Sequence, residues 1–237
     1  MGGAYRYGVR KNLIERSAIM KVFRELTISG PPDVLQETVV AIERRLDNGW
    51  YRDTKAEELF GTGQEPMYCF ACVAFKGRPA ADVWLMYRPS GSLSVSNIIP
   101  HEGGQLSYDD YNRLLQEFHE SFVAPLQTEL SLHITLTEGE KGLSAWLSRS
   151  AADLLDQFIR AGNRYAPTAH QEDRNRWDAF LVAAHRDRAA LDAKTLHRWL
   201  IEEVGWPEEA ASDLAADYSS GRALLEYYDT TASLVAS

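Results

Sequence analysis

Apolar positions in the first half of the chain recur with two spacings. Over residues 21–28, Val22, Leu26 and Ile28 share one parity, the pattern of a strand with one buried face. Gly30, Pro31 and Pro32 stop it, and Leu35, Val39, Ile42 and Leu46 then form a helical stripe that ends before Gly49. Residues 51–66 are polar and glycine-containing, which predicts a loop with a short helical turn over 55–60. Residues 67–75, 81–88 and 92–99 are rich in strand formers. Two turn compositions separate them, Lys76 to Pro79 and Pro89 to Gly91, so the spacing predicts an antiparallel meander. The first of these strands is apolar at both parities, as in a strand buried on two faces. In the third, Leu93 and Val95 alternate with Ser92, Ser94 and Ser96, as in a half-exposed one.

Ser107 with Asp110 three residues on has the capping-box arrangement, and Tyr111, Leu114, Leu115, Phe118 and Phe122 follow at helical spacing. A second helix is therefore predicted to about Ala124, ahead of Pro125. Leu130, Leu132, Ile134 and Leu136 alternate as a further strand over 130–137, with His133 on the exposed parity. Beyond Gly139 the spacing is helical. Trp146, Leu147, Leu154, Leu155, Phe158 and Ile159 predict one helix, stopped at Gly162 and Asn163. Trp177, Phe180, Leu181 and Ala184 predict the next, and Leu196, Trp199, Leu200 and Val204 a third, stopped by Gly205. A fourth begins at Pro207 and carries Leu214, Tyr218, Leu224, Leu225 and Tyr228.

These elements predict an α+β fold: a mostly antiparallel five-stranded sheet with helices on one face, followed by an all-helical C-terminal part. The expected divisions are a basic arm over 1–19, an α+β domain over 20–140 and a helical region over 141–237. Composition then narrows the function classes. A formal net charge of −9 over 237 residues opposes general binding to nucleic acid or an anionic membrane surface. The arm with Arg6, Arg10, Lys11 and Arg16 against Glu15 is the local exception. No apolar run approaches the length of a membrane-spanning helix, and the arm lacks the apolar core of a secretory signal, so the expected address is the cytoplasm.

Candidate chemistry is sparse. Cys69 and Cys72 have the spacing of redox and zinc sites, but they sit inside an apolar strand, where residues three apart point to opposite faces. They are expected to be buried and unlinked. Gly61 and Gly63 are not continued into a dinucleotide loop, because position 66 is proline. No phosphate loop, helical H-E-x-x-H or nucleophile elbow occurs, and His185 and His197 are expected at helix borders. Glu138, Glu140 and Lys141 after a strand are ordinary turn composition with a nuclease reading as the sharper alternative. Trp177, Trp199 and Trp206 are expected mainly in the core.

The best candidate site is the segment 97–105. It gathers Asn97, His101, Glu102 and Gln105 around Gly103 and Gly104 between a strand end and a capped helix. His101 beside Glu102 suits proton transfer or metal binding, while the bland alternative is a solvated turn. The expectation is a non-enzymatic cytoplasmic binding or regulatory protein of bacterial type. It would act through protein–protein contacts, with Asn97, His101, Glu102 and Gln105 as its ligand- or partner-binding residues and no cofactor or metal. The alternatives are a small-molecule or metal-assisted hydrolytic enzyme using 97–105, and a nucleic-acid-processing enzyme.

Overall fold

The computed structural model describes residues 19–60 and 65–235. The basic arm and the Gly61 to Gly63 motif lie outside the described residues, apart from Ile19. The elements are β1 (Met20–Lys21), β2 (Leu26–Ser29), α1 (Pro32–Arg45), β3 (Trp50–Arg52), α2 (Thr54–Phe60), β4 (Met67–Cys72), β5 (Ala81–Arg88) and β6 (Ser92–Pro100). There follow α3 (Tyr108–Phe118), α4 (Leu126–Glu129), β7 (His133–Leu136), β8 (Glu140–Lys141), α5 (Arg149–Ala161), α6 (Gln171–Arg186), α7 (Ala193–Glu202) and α8 (Glu208–Val235). The fold is α+β. Among the described residues, contacts divide the chain into two compact units, one within 21–139 and a helical one made of 140–235 with 19–20.

In the first unit six strands form one antiparallel sheet in the order β3-β4-β5-β6-β2-β7. The sixth strand, β3, was not expected; three residues are too few for alternation to show. One face of the sheet presents Leu26, Ile28, Trp50, Phe70, Cys72, Val83, Leu85, Leu93 and Ile98. They join Leu35, Val39 and Ile42 of α1 and Leu114, Leu115 and Phe118 of α3 in one core. The opposite face is partly covered by α2: Phe60 meets Trp84 edge-on with ring centroids 5.9 Å apart, and Glu57 accepts the Cys69 amide at 3.0 Å. Cys69 and Cys72 are buried and unlinked. Cys72 belongs to the core under α1 and α3, whereas burial on the other face pushes the Cys69 thiol up to about 12.

Several elements are shorter than their patterns. The expected strand over 21–28 joins the sheet only from Leu26, because Asn112 of α3 takes the backbone before it. Its side chain accepts the Arg24 amide and donates to the Val22 carbonyl, both at 2.8 Å. The strand expected over 67–75 leaves the ladder after Cys72 to make a tight turn bridged from Phe75 to Arg78. The strand over 130–137 starts late because Leu126–Glu129 is helical and Ser131 turns the chain with a φ of +53°. The second helix is regular only to Phe118 and continues as a π turn over His119–Val123.

The closed end of the sheet is fastened by Arg78. Its buried guanidinium pairs with Glu117 and donates to the carbonyls of Asn48 at 2.8 Å and Val73 at 3.1 Å. It lies 5.3 Å from the Trp50 ring centroid, and the Trp50 indole donates to Glu117 at 3.0 Å. Turn, edge strand and helix α3 are thus tied by one charged group through its two terminal nitrogens, while its Nε is buried without a partner among the described residues.

The helical unit packs α5 to α8 around Phe158, Trp177, Phe180 and Tyr218, whose consecutive ring centroids lie 5.0, 5.2 and 5.7 Å apart. Trp199 and Trp206 are also buried, as is Met20. Ser148 caps α5 by accepting the Ala151 amide at 3.2 Å, so Trp146 and Leu147 precede the helix they were expected to open. Leu224, Tyr227 and Tyr228 of α8 are exposed.

Candidate functional site

The site of interest is a break in the sheet of the first unit. Strands β2 and β6 pair only at Thr27 with Ser94, Ile28 with Leu93 and Ser29 with Ser92. Past Ser94, β6 runs on to Pro100 paired with β5 alone. The cause is a β-bulge. Leu85 faces Val95 and Trp84 faces Asn97, which leaves Ser96 as an extra residue whose hydroxyl donates to the Trp84 carbonyl at 3.2 Å. The extra residue also switches the buried parity: Val95 packs on the core, then Ile98 enters it in place of Asn97. A bulge bends its strand, and here β6 diverges from β2 beyond it.

The divergence opens a cleft of about 530 Å³. One wall is Val95 to Ile98 of β6, the other is Phe23 to Thr27, and Gln105, Leu106 and Tyr111 at the start of α3 form the floor. Arg88 reaches the cleft from β5. Aromatic packing stiffens one corner: Phe23 lies 4.6 Å from Tyr111 and 4.3 Å from Tyr108, centroid to centroid. Burial and the nearby Glu25 raise the Tyr111 phenol above its ordinary range, so it stays a neutral hydrogen-bonding group.

Two arginines set the electrostatics. The Arg24 Nε donates to the Thr137 carbonyl at 2.6 Å and its Nη1 to the side chain of Gln116. The Arg88 Nε donates to the Ser94 hydroxyl at 2.7 Å and its Nη1 faces the Met86 sulfur at 3.1 Å. All four partners are neutral. Among the described residues neither guanidinium has a carboxylate within ion-pair distance, and of their hydrogen-bonding partners only Ser94, which Arg88 holds, belongs to the lining. Glu25 is the sole acid of the lining, and its side chain is exposed. A chain with net charge −9 thus carries a cationic recess.

The expected site residues are divided by this geometry. Asn97 and Gln105 line the cleft. His101 does not; it lies beyond the strand end and pairs with Asp82 at 2.6 Å. Glu102 is exposed and outside the lining. Gly104 has a φ of +116°, which favours glycine, whereas Gly103 has ordinary backbone and open space around it. Ser107 caps the helix: its hydroxyl accepts the Asp110 amide at 3.1 Å and donates to the Asp110 carboxylate at 2.8 Å, in place of the reciprocal backbone bond of a full capping box. Sequence reasoning missed Arg24 and Arg88, and it missed the bulge. The readable sign of the bulge was the spacing of Leu93, Val95 and Ile98, where two polar residues in a row interrupt strict alternation.

The other candidates stay apart. His133 is exposed, and His185 pairs with Asp229 at 2.8 Å. No three of His, Cys, Asp and Glu among the described residues come together as a metal site. Among the described residues no helix is long and apolar enough to cross a membrane. No family model, curated protein or solved structure matches the chain.

Proposed function

We propose that this chain is a non-enzymatic binding protein whose site is the cleft between β6 and the Phe23 to Thr27 segment, and that it holds an anionic group. The reading rests on one observation: Arg24 and Arg88 line the same recess with only neutral partners. A carboxylate or phosphate brought there gains charge-assisted hydrogen bonds without displacing a native ion pair. The lining also favours holding over processing. It has no histidine, cysteine or lysine, the Ser94 hydroxyl accepts from Arg88, and the Ser96 hydroxyl is spent on a carbonyl. Two unlinked cysteines suit a reducing cytoplasm, which we take as the setting.

The test is a titration of isotope-labelled full-length chain with sodium glutarate and, separately, inorganic phosphate, followed by amide shifts. Saturable shifts at Thr27, Ser94, Ser96 and Asn97 that vanish in Arg88→Gln are expected, with the glutarate recovered unchanged. Shifts confined to other residues, or equal in the variant, would defeat the reading.

A further inference from the structure

The two walls of the cleft differ in what their backbones have left to offer. On the Phe23 to Thr27 side the main chain is spent inward. The Arg24 amide goes to Asn112, while the Glu25 amide goes to the Thr137 hydroxyl and the Glu25 carbonyl accepts from the Thr137 amide. On the β6 side, residues 95–98 have a ladder partner on β5 only. The Ile98 amide donates at 2.8 Å to the side-chain oxygen of its own neighbour, Asn97. A ladder amide that borrows an adjacent side chain is one whose strand partner is missing. The cleft therefore has one wall built as an open strand edge, inside a sheet, with a guanidinium at hand.

Resting on the anion-binding reading above, we infer that the occupant is an extended acidic peptide segment that adds to β6 as a strand beside residues 95–98 and gives a carboxylate to Arg88 or Arg24. Strand addition draws affinity from main-chain hydrogen bonds and specificity from alternate side chains. Four residues of β6 span roughly 13 Å at strand rise, so the core of the ligand is about four residues long. Its two faces meet different chemistry. Arg88 and Ser94 present charge and hydroxyl, while Leu106 and Tyr111 at the start of α3 present apolar surface. The segment that fits alternates acidic with apolar residues. Asn97 acts as a placeholder, giving up the Ile98 amide when the peptide carbonyl arrives. Glu25 opposes the ligand's charge, but its side chain stands in solvent and two arginines outnumber it.

A library of acetylated, amidated octapeptides with Asp or Glu fixed at a central position, and otherwise randomised, tests the inference against full-length chain. A matching library with Lys fixed is the control. Enrichment from the acidic library alone is expected. The selected peptide should slow amide exchange at residues 95–98, and methylation of its backbone amides should weaken it about tenfold or more, the loss of hydrogen bonds expected for a strand ligand. Arg88→Gln should weaken it to a similar degree. Binding indifferent to backbone methylation overturns the strand geometry. No enrichment, with glutarate still shifting the cleft residues, overturns the peptide and leaves a small-anion site. No enrichment with no glutarate response removes both readings.

Discussion

The sheet unit contains two kinds of arginine, at opposite fates. Arg78 at the closed end is buried, stacked near Trp50 and matched by Glu117 and two carbonyls. Arg24 and Arg88 at the open cleft have hydrogen bonds but, among the described residues, no carboxylate within ion-pair distance. The difference separates a charge consumed by the fold from a charge left for something else. Hydrogen bonding and neutralisation of charge are distinct conditions, and in the cleft the first is met in part, through Nε and Nη1 of each arginine, and the second not at all among the described residues.

Breaking the closed end should have the largest effect. Arg78→Ala leaves Glu117 without its opposite charge, removes the donor to the Asn48 and Val73 carbonyls and opens space beside Trp50. A loss of roughly 2 kcal/mol is expected, less than for a fully buried pair because the Glu117 side chain is 35% exposed. Denaturant melts measure it, and a loss below about 1 kcal/mol would mean that the pairing is incidental. An intermediate effect is expected at Ser107, which starts the helix that carries both Glu117 and Tyr111. Ser107→Ala should cost about 1 kcal/mol, the usual value for an N-cap, and an unchanged midpoint would show that the cap contributes nothing. The smallest effect should come from Arg88→Gln. With no ion pair to lose and a neutral residue that can still reach Ser94, stability should stay within about 0.5 kcal/mol of wild type. A loss comparable to that of Arg78→Ala would place Arg88 among the structural arginines and erase the contrast.

Much of this unit was legible in the sequence because burial writes itself as periodicity. Leu35, Val39 and Ile42 lie under α1 as their spacing predicts, β5 covers residues 81–88, and Ser107 caps its helix. The cleft was less legible, for two physical reasons. Its arginines stand 64 positions apart in the chain and meet only through the strand order. Its opening depends on a bulge, which marks the sequence only as a change of parity between Val95 and Ile98. The loop 97–105 drew attention because polar side chains cluster there, and adjacency along the chain did not make them neighbours in space. Asn97 and Gln105 line one recess, while His101 turns to Asp82 and Glu102 to solvent. The shortened strand at residues 21–28 has the same origin, since a side chain on α3 claims backbone that local pattern assigns to a sheet.

The single extra residue at Ser96 has a consequence for how this cleft is inherited. Point substitutions around the recess alter its charge or width but leave the register, and hence the opening, in place. Loss of one codon at this position would restore simple alternation from Leu93 onward, remove the bend from the far half of β6 and narrow the recess. Gain and loss of the cavity are in that sense a counting change in the gene. In a lineage of such chains, the presence of the recess should track length between Val95 and Ile98 more closely than it tracks the identity of any residue lining it.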